Sequence, residues 1–319
     1  MKKEKVYVGI DVAKAHLDVA WEQSSWRVSN DAGGHRTLVK RLEKISAASL
    51  HVICEASGGY ERALLLALER SRIDFSLVQA SRVRQYARAC GLLAKTDAID
   101  VHLLARFGQA IAPHPSKVLP PAQRQLRELE DHRRHLVRLL VAQQNRRAQL
   151  SNKTLLGLNR HLSSQLRKQI AQIEALLAAS IEQDQALSRK ARQLTSIVGV
   201  GPRTATLLLA QMPELGQLNR REAAALAGLA PFNRDSGSLT GKRAIFGGRR
   251  AVRCGLYMAA LVAARRNPIL APFYQRLRRA GKPPKLALTA IMRKLLIALN
   301  SALKTDPLTA STQDSYYSG

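Results

Sequence analysis

The sequence predicts a mixed α/β domain at the N-terminus, then a long helical region, then an all-α domain at the C-terminus. Short β-rich runs alternate with helical patterns up to about residue 112, and prolines then cluster between residues 113 and 121. Beyond the prolines, apolar residues recur mainly at helical intervals. We therefore divide the 319-residue chain into regions 1–112, 113–192 and 193–305, followed by a polar tail, 306–319, that we expect to be disordered.

The N-terminal region begins with strand signals. Residues 5–22 predict two short strands around a turn at residues 11–15, and residues 26–30 predict a third. The following segments alternate in type: helix 34–45, strand 50–56, helix 58–71, strand 74–79 and helical segments as far as residue 111. A hairpin followed by alternating strands and helices predicts one mixed sheet flanked by helices.

The middle of the chain, residues 122–192, predicts two long helices, and the second carries a single apolar stripe. The stripe consists of Leu155, Leu158, Leu162, Leu166, Ile170, Ile173 and Leu177. Helix packing within one chain and a dimerising coiled coil would both produce this pattern. The C-terminal domain begins near Leu194, and we expect it to contain helices and loops alone.

The charge balance is strongly positive. Lys and Arg total 51 and Asp and Glu total 23, which gives a formal net charge of +28. The excess lies mainly after residue 115, where 34 basic side chains face 11 acidic ones. Such an excess is typical of proteins that bind nucleic acid, although ribosomal and other basic soluble proteins share it.

Cysteine usage and hydropathy indicate the cellular compartment of the protein. Cys54, Cys90 and Cys254 lie far apart and lack the paired spacing of zinc ligands. We find no signal peptide and no apolar run near the roughly 20 residues that span a bilayer. We therefore expect a cytoplasmic protein, associated with the nucleoid and not with a membrane.

Four acidic residues occur in contexts that could bring them together. Asp11 and Glu55 each end an apolar strand, whereas Asp97 and Asp100 lie three residues apart, on one side of a predicted helix. Singly, each has an ordinary structural interpretation, such as a turn or a helix cap. Together they would repel by about 4 kcal/mol per pair at 4 Å and an effective dielectric constant near 20. Divalent cations remove that cost, and paired Mg²⁺ ions serve phosphodiester chemistry, so we predict an Mg²⁺ site.

A second group of candidate residues lies in the C-terminal domain. Gly199, Val200 and Gly201 stand between two apolar helical segments, with Arg203 just beyond, which is the pattern of a helix-hairpin-helix. Such glycines let backbone N–H groups approach a phosphate, although an ordinary helix turn would also contain them. A glycine-rich loop with Ser236 and Ser238 follows. Basic residues crowd behind it: Lys242, Arg243, Arg249, Arg250 and Arg253.

With these motifs in view, the chain resembles the DEDD-motif transposases of bacterial insertion sequences, a family that includes Piv-type invertases and bridge-RNA-guided recombinases. The resemblance covers nearly the whole chain. It is carried by GIDVAKAHLDVA, CEASGGYE and KTDAIDVHLLA in the first half, and by IVGVGPRTA, GLAPFNRDSG and FGGRRAVRCGLYMAAL in the second. The second half looks like one subgroup of the family, so the form of any guide and the target preference can differ from other branches.

The resemblance implies a function and a set of roles. It implies an RNase H/RuvC-like fold, with Asp11, Glu55, Asp97 and Asp100 as catalytic metal ligands. It selects Ser236 as the catalytic serine and leaves the neighbouring Ser238 as the alternative, and it implies a covalent phosphoserine link during DNA strand exchange. It further implies DNA partners, a noncoding guide RNA and a homo-oligomer, dimer or tetramer, whose active site combines residues of two protomers.

Three other classes of protein remain in competition. A RuvC-like junction resolvase or nuclease would need the acids but not the serine loop. An actin-like ATPase or sugar kinase would need a second glycine-rich phosphate loop, for which the sequence offers no good candidate. In a non-enzymatic nucleic-acid scaffold, all four acids would be structural.

Overall fold

The computed structural model describes residues 5–45, 50–92, 97–232 and 244–304, without the side chains of residues 97–100. The chain divides into two compact units, Met1–Leu119 and Pro120–Gly319. Each unit is described by itself.

The first unit is built on a five-stranded sheet of order β3-β2-β1-β4-β5 within its described residues. The strands are β1 (Val6–Val12), β2 (His16–Trp21), β3 (Ser24–Ser29), β4 (Leu50–Glu55) and β5 (Asp74–Val78). β2 pairs antiparallel with β1 and with β3, whereas β1, β4 and β5 run parallel. The predicted mixed sheet is therefore confirmed, and its topology is consistent with an RNase H-like domain.

Helices cover both faces of this sheet. They are α1 (Ala32–Ile45), α2 (Arg62–Arg70), α3 (Ala80–Ala89) and α4 (Asp97–Ile111). One face of β1 contributes Val8, Ile10 and Val12 to a core shared with α1 and α2. The other face contributes Tyr7 to a separate core with β5, α3 and α4. Because side chains alternate along a strand, the two cores receive alternate residues of β1.

The second unit is mainly helical where the structure describes it. Its helices are α5 (Pro121–Arg147), α6 (Lys153–Gln183), α7 (Gln185–Thr195), α8 (Pro202–Gln211), α9 (Arg220–Leu226), α10 (Arg250–Arg266), α11 (Leu270–Arg279) and α12 (Pro284–Ala302). Its main core is formed by α7, α8, α10 and α12 together with parts of α5 and α6.

Two expectations for this unit are wrong in detail. Residues 122–192 do not form two helices, because Asp184 ends α6 and caps α7 by accepting hydrogen bonds from Ala186 N and Leu187 N at 2.9 and 3.0 Å. The C-terminal part also contains strands, since β6 (Pro231–Phe232) pairs antiparallel with β7 (Ala244–Ile245).

The apolar stripe of α6 is not buried as one surface. Leu166 and Leu177 are buried, but Leu155, Leu158 and Leu162 are 46–64% exposed. In that first half, the buried positions are instead the polar Asn159 and Ser163, and Asn159 Nδ2 donates to Gln143 O of α5 at 3.1 Å. Intramolecular packing therefore accounts for the second half of the stripe and leaves the first half uncovered within the described residues.

Across the described residues, no helix is both long and apolar enough to cross a membrane. The finer division into a coiled-coil region, 113–192, and a C-terminal domain, 193–305, stays a prediction.

Candidate active site

One face of the sheet carries the first two predicted acids. Tyr7 of β1 and Ile53 of β4 belong to the core under α4, and residues two positions further along a strand lie on the same face. On β1 this spacing leads from Tyr7 through Gly9 to Asp11. On β4 it leads from Ile53 directly to Glu55. Both acids therefore lie on the α4 side of the sheet. Both are partly buried.

Asp11 and Glu55 also lie at the same end of that face. The parallel pairing of β1 with β4 places Gly9 beside Ile53 and Ile10 beside Cys54, and the two acids follow directly. Adjacent strands are separated by about 4.8 Å. Register therefore places the two carboxylate-bearing residues next to each other at the carboxyl ends of neighbouring strands.

The start of α4 extends towards this end. A Cβ at Gly9 would lie 2.8 Å from Ala105 N and against Val101 O, while a Cβ at Gly108 would lie 2.6 Å from Tyr7 Cδ1. Tyr7 thus lies beside Gly108, and Gly9 lies beside residues 101–105. The direction from Tyr7 to Gly9 along β1 is therefore the direction towards the first residue of α4. One further turn of about 6 Å along the helix reaches Asp97, and two further residues of β1, about 6.6 Å, reach Asp11.

The backbone positions of Asp97 and Asp100 therefore lie towards the strand ends that carry Asp11 and Glu55. Their side chains lie outside the described part of the structure. Among the described side chains, no group of three or more His, Cys, Asp or Glu is close enough to hold a metal. The predicted four-acid site is thus described for two side chains and for the backbone of the other two.

A further acid on this face, Asp18, was missed by the sequence analysis. It lies directly opposite Asp11 in the β1–β2 pairing. Its carboxylate accepts hydrogen bonds from Arg27 Nε and Nη2 of β3 at 2.7 and 3.0 Å, and His16 Nε2 lies 3.4 Å away. The alternating pattern of GIDVAKAHLDVA could have indicated the shared face, but the pairing with Arg27 depends on β3.

The turn after Glu55 is held by Glu61, which is 8% exposed. Its Oε2 accepts hydrogen bonds from Ser57 Oγ at 2.6 Å, Gly59 N at 2.9 Å and Ser57 N at 3.2 Å. Burial alone raises the pKa of Glu61, but these hydrogen bonds outweigh it and lower the pKa below its ordinary value. An ionised Glu61 therefore fixes the loop that leaves the acid-bearing strand.

In the second unit, the predicted glycine turn lies between α7 and α8. Gly199 has a φ of +111°, and a Cβ there would lie 2.7 Å from Ala263 Cβ and 3.1 Å from Ala259 O of α10. Gly201 has open space around it and precedes α8 without a side-chain cap. Gly199 is thus required for packing on α10, and Gly201 is the glycine free to approach a ligand.

Several of the arginines predicted to bind nucleic acid have partners within the unit. Arg249 donates to Glu214 Oε2 and Oε1 at 2.6 and 2.7 Å and to Gln211 O at 2.9 Å. Burial raises the pKa of Glu214, but the bonds from Arg249 outweigh it and lower that pKa. Arg203 donates to Glu174 at 2.8 Å, and Arg253 donates to Gly247 O at 2.6 Å. Arg250 is exposed and forms no ion pair within the described ranges.

Ser236, Ser238, Lys242 and Arg243 lie in residues 233–243, outside the described part of the chain. The structure describes both ends of that segment, because Phe232 of β6 is paired with Ala244 of β7. Just outside the strands, Gly228 and Gly248 are in backbone contact. The segment that carries the predicted serine therefore begins and ends at one anchored point.

Comparison with known proteins identifies the family. A profile of DEDD transposases of the IS110 type matches residues 8–153, and a profile of the transposase IS116/IS110/IS902 family matches residues 191–275. The chain is also 30% identical over 305 residues to the pilin gene-inverting proteins of Moraxella bovis and Moraxella lacunata, covering 92% of this chain and 94% of each relative. The chain belongs to the IS110 transposase family. It is a DNA transposase/recombinase enzyme, as its predicted family membership implied.

Each of the two family matches covers one of the two candidate sites. The first covers the sheet with Asp11 and Glu55, the start of α4 and the whole of α5. The second covers the α7–α8 turn and the segment anchored by β6 and β7.

Proposed function

We propose that this transposase cuts and exchanges DNA strands at Mg²⁺ held by Asp11, Glu55, Asp97 and Asp100, through a covalent intermediate on Ser236. The observation that carries the proposal is the meeting of β1, β4 and the start of α4 at one end of the sheet. The four residues also lie in three of the motifs that carry the family resemblance, so geometry and resemblance support the same site.

The residues suit a hard cation. Asp11 and Glu55 would offer carboxylate oxygens from adjacent strand ends, and such hard oxygen ligands are the ones that Mg²⁺ prefers. Bound Mg²⁺ would polarise the scissile phosphate and stabilise the charge on the leaving oxygen. Asp18 lies on the same face, but both of its carboxylate oxygens accept hydrogen bonds from Arg27. We therefore do not include it among the proposed metal ligands.

The proposed nucleophile is the Ser236 hydroxyl. Its oxygen attacks the phosphorus of the DNA backbone and displaces one strand end, so that a phosphoserine retains the energy of the broken phosphodiester bond. A hydroxyl of a second DNA end then displaces the serine and completes the exchange. Lys242 and Arg243 would screen the charge of the transition state, since they follow the serine within the same anchored segment.

For the nucleic-acid surface, we propose a division between arginines that hold the fold and cations that face the phosphates. Arg203, Arg249 and Arg253 have partners within the unit, which leaves Gly201 and Arg250 as the best placed of the predicted residues that the structure describes. Further basic side chains surround the turn between α11 and α12, and residues 244–304 contain no Asp or Glu. These are Arg276, Arg279, Lys282 and Lys285 near the turn and Lys294 further along α12, whereas Arg278 donates to Lys282 O.

Two of these cations lie at one aromatic ring of α11. Arg276 Cζ lies 5.2 Å and Lys294 Nζ 5.0 Å from the ring centroid of Phe273. Two cations held at one ring repel each other, and a phosphate backbone would relieve that repulsion. We therefore propose that the main electrostatic contact with DNA or guide RNA lies on the surface formed by α11 and α12.

We propose a homo-oligomer because the first half of α6 presents Leu155, Leu158 and Leu162 to solvent, with Leu139 and Val141 of α5 also exposed. The names of the Moraxella relatives describe gene inversion. Inversion and transposition share the strand chemistry proposed here, so we extend that chemistry, and not a particular substrate, to this chain. The use of a noncoding guide RNA, as in some family members, is part of the proposal.

A covalent-trapping experiment tests this function. The protein, coexpressed with the noncoding sequence flanking its element, is incubated with labelled element-end DNA and Mg²⁺ and then run on a denaturing gel. We expect a protein–DNA adduct that disappears in Ser236→Ala and without Mg²⁺, and that persists in the matched control Ser238→Ala. Cut DNA without an adduct, insensitive to Ser236→Ala, would identify a metal-dependent nuclease or junction resolvase instead.

A further inference from the structure

Asn30, directly after β3, joins the two loops that follow the acid-bearing strands. Its Nδ2 donates hydrogen bonds to Ala13 O at 2.8 Å and to Tyr60 O at 3.2 Å. Ala13 lies two residues beyond Asp11, and Tyr60 lies five residues beyond Glu55. A single side-chain amide therefore spans the exits of both strands.

The rest of Asn30 is held as well, so the amide has a defined orientation. Its backbone N donates to Ala15 O at 3.0 Å, and its Oδ1 lies 2.8 Å from His35 Nε2. Carbonyl oxygens can only accept, which requires the NH₂ group to face Ala13 and Tyr60, and His35 Nε2 must then carry the proton. Burial is the main cause that lowers the pKa of His35, which keeps its ring in this neutral form.

The bridge lies just beyond the last pair of residues that joins β1 directly to β4. The paired residues of β1 and β4 end at Ile10 and Cys54, one position before the two acids. Beyond that pair, the described strand pairing continues only to the outer neighbours, from Asp11 to Asp18 of β2 and from Glu55 to Val78 of β5. Glu61 closes the second loop from within, but among the side chains that the structure describes, Asn30 is the one hydrogen-bonded to both loops.

We propose that Asn30 is a positioning residue, whose side-chain amide fixes the separation of Asp11 and Glu55 by joining the loops that follow them. It touches neither the metal nor the DNA. The inference rests on the proposed metal site, and it adds a residue whose loss weakens metal binding while both carboxylates remain.

The neighbouring residue provides a matched control. Asp31 caps α1 by accepting a hydrogen bond from Gly34 N at 2.8 Å, and no described hydrogen bond joins its side chain to residues 13–15 or 57–61. Asp31→Ala therefore weakens the same corner of the fold without cutting the bridge. Asn30→Asp retains the shape and an oxygen for His35 but removes both N–H donors, so it tests the bridge apart from packing.

The experiment measures Mg²⁺ binding to the full-length protein by titration calorimetry, together with the thermal unfolding midpoint. We expect Asn30→Ala and Asn30→Asp to bind Mg²⁺ about tenfold or more weakly, the loss typical when a residue that orients metal ligands is removed. Asp31→Ala should bind Mg²⁺ as the parent does, even if its midpoint falls as far.

The outcomes separate the inference from the proposed function. Parental Mg²⁺ affinity in a folded Asn30→Asp protein would overturn the role of Asn30. Equal losses in Asn30→Asp and Asp31→Ala would reduce it to general stability and would also overturn it. An Asp11→Ala protein that binds Mg²⁺ as the parent does would instead show that the metal site itself is misplaced, and the inference would fall with it.

Discussion

The charged residues of the two units have different neighbours. In the first unit, strand register places the two acidic residues Asp11 and Glu55 side by side at the carboxyl ends of adjacent strands. In the second, Arg203 and Arg249 are each matched to a glutamate of the same unit. The first arrangement groups side chains of like charge where we propose a cation, whereas the second pairs opposite charges within one unit.

The largest expected difference separates the two acids of the β1–β2 pairing. Asp11→Ala should abolish strand cleavage, because it removes a proposed metal ligand. Asp18→Ala should retain most of the activity, because that carboxylate is already paired with Arg27. Cleavage of labelled DNA at several Mg²⁺ concentrations measures both. Equal loss in the two variants would mean that Asp18 belongs to the catalytic set.

The next largest effect concerns glycines. Gly9→Ala would drive a methyl group into Val101 O and Ala105 N of α4, and such overpacking costs about 1–3 kcal/mol. Gly201→Ala adds a methyl group in open space and should change stability by less than about 0.5 kcal/mol. Chemical denaturation of the full-length variants compares them. A neutral Gly9→Ala would show that α4 does not lie as close to β1 as the structure has it.

A third comparison sets a paired arginine against an exposed one. Arg249→Ala breaks the contacts with Glu214 and Gln211 and should cost about 1 kcal/mol of stability while leaving the salt dependence of DNA binding intact. Arg276→Ala should leave stability nearly unchanged and reduce the slope of log affinity against log salt by about 0.9 if one duplex phosphate contact is lost. Fluorescence anisotropy at several salt concentrations measures the slope. The reverse result would return the binding surface to Arg249.

The smallest effect is a pH dependence of stability in the first unit. Burial lowers the pKa of His35 and of His51 below the ordinary 6.5, so both rings are neutral in the folded protein. Below about pH 6.5 the unfolded chain binds protons that the folded chain excludes, and stability should therefore fall as the pH drops towards 5. Thermal unfolding across this range checks it, with His51→Gln as the control, whose fall should be shallower.

His51 also illustrates how local sequence and tertiary context differ in what they reveal. Its Nε2 lies 2.8 Å from Ser76 Oγ, which donates to His114 O at 2.7 Å in the proline-rich segment that the sequence marked as a linker. Nothing in the linker composition indicated that this segment would be fastened to β5, because the contact joins residues far apart in the chain.

The sequence by itself determined the elements of the first unit, the positions of Asp11 and Glu55 at strand ends, and the membership of a transposase family. These follow from patterns that repeat every two or every three to four residues, and from motifs that lie within short windows. The same local reasoning merged α6 with α7 and missed β6 and β7, because a single cap at Asp184 and a two-residue pairing leave little periodic signal.

Only the tertiary structure shows which of the described side chains have partners within the chain. The bond from Arg249 to Glu214, the packing of Gly199 on Ala263 and the bridge that Asn30 forms between two loops all depend on residues brought together from distant parts of the chain. Hydrogen bonds and close contacts are set by three-dimensional proximity, and sequence periodicity carries no information about partners outside its own window.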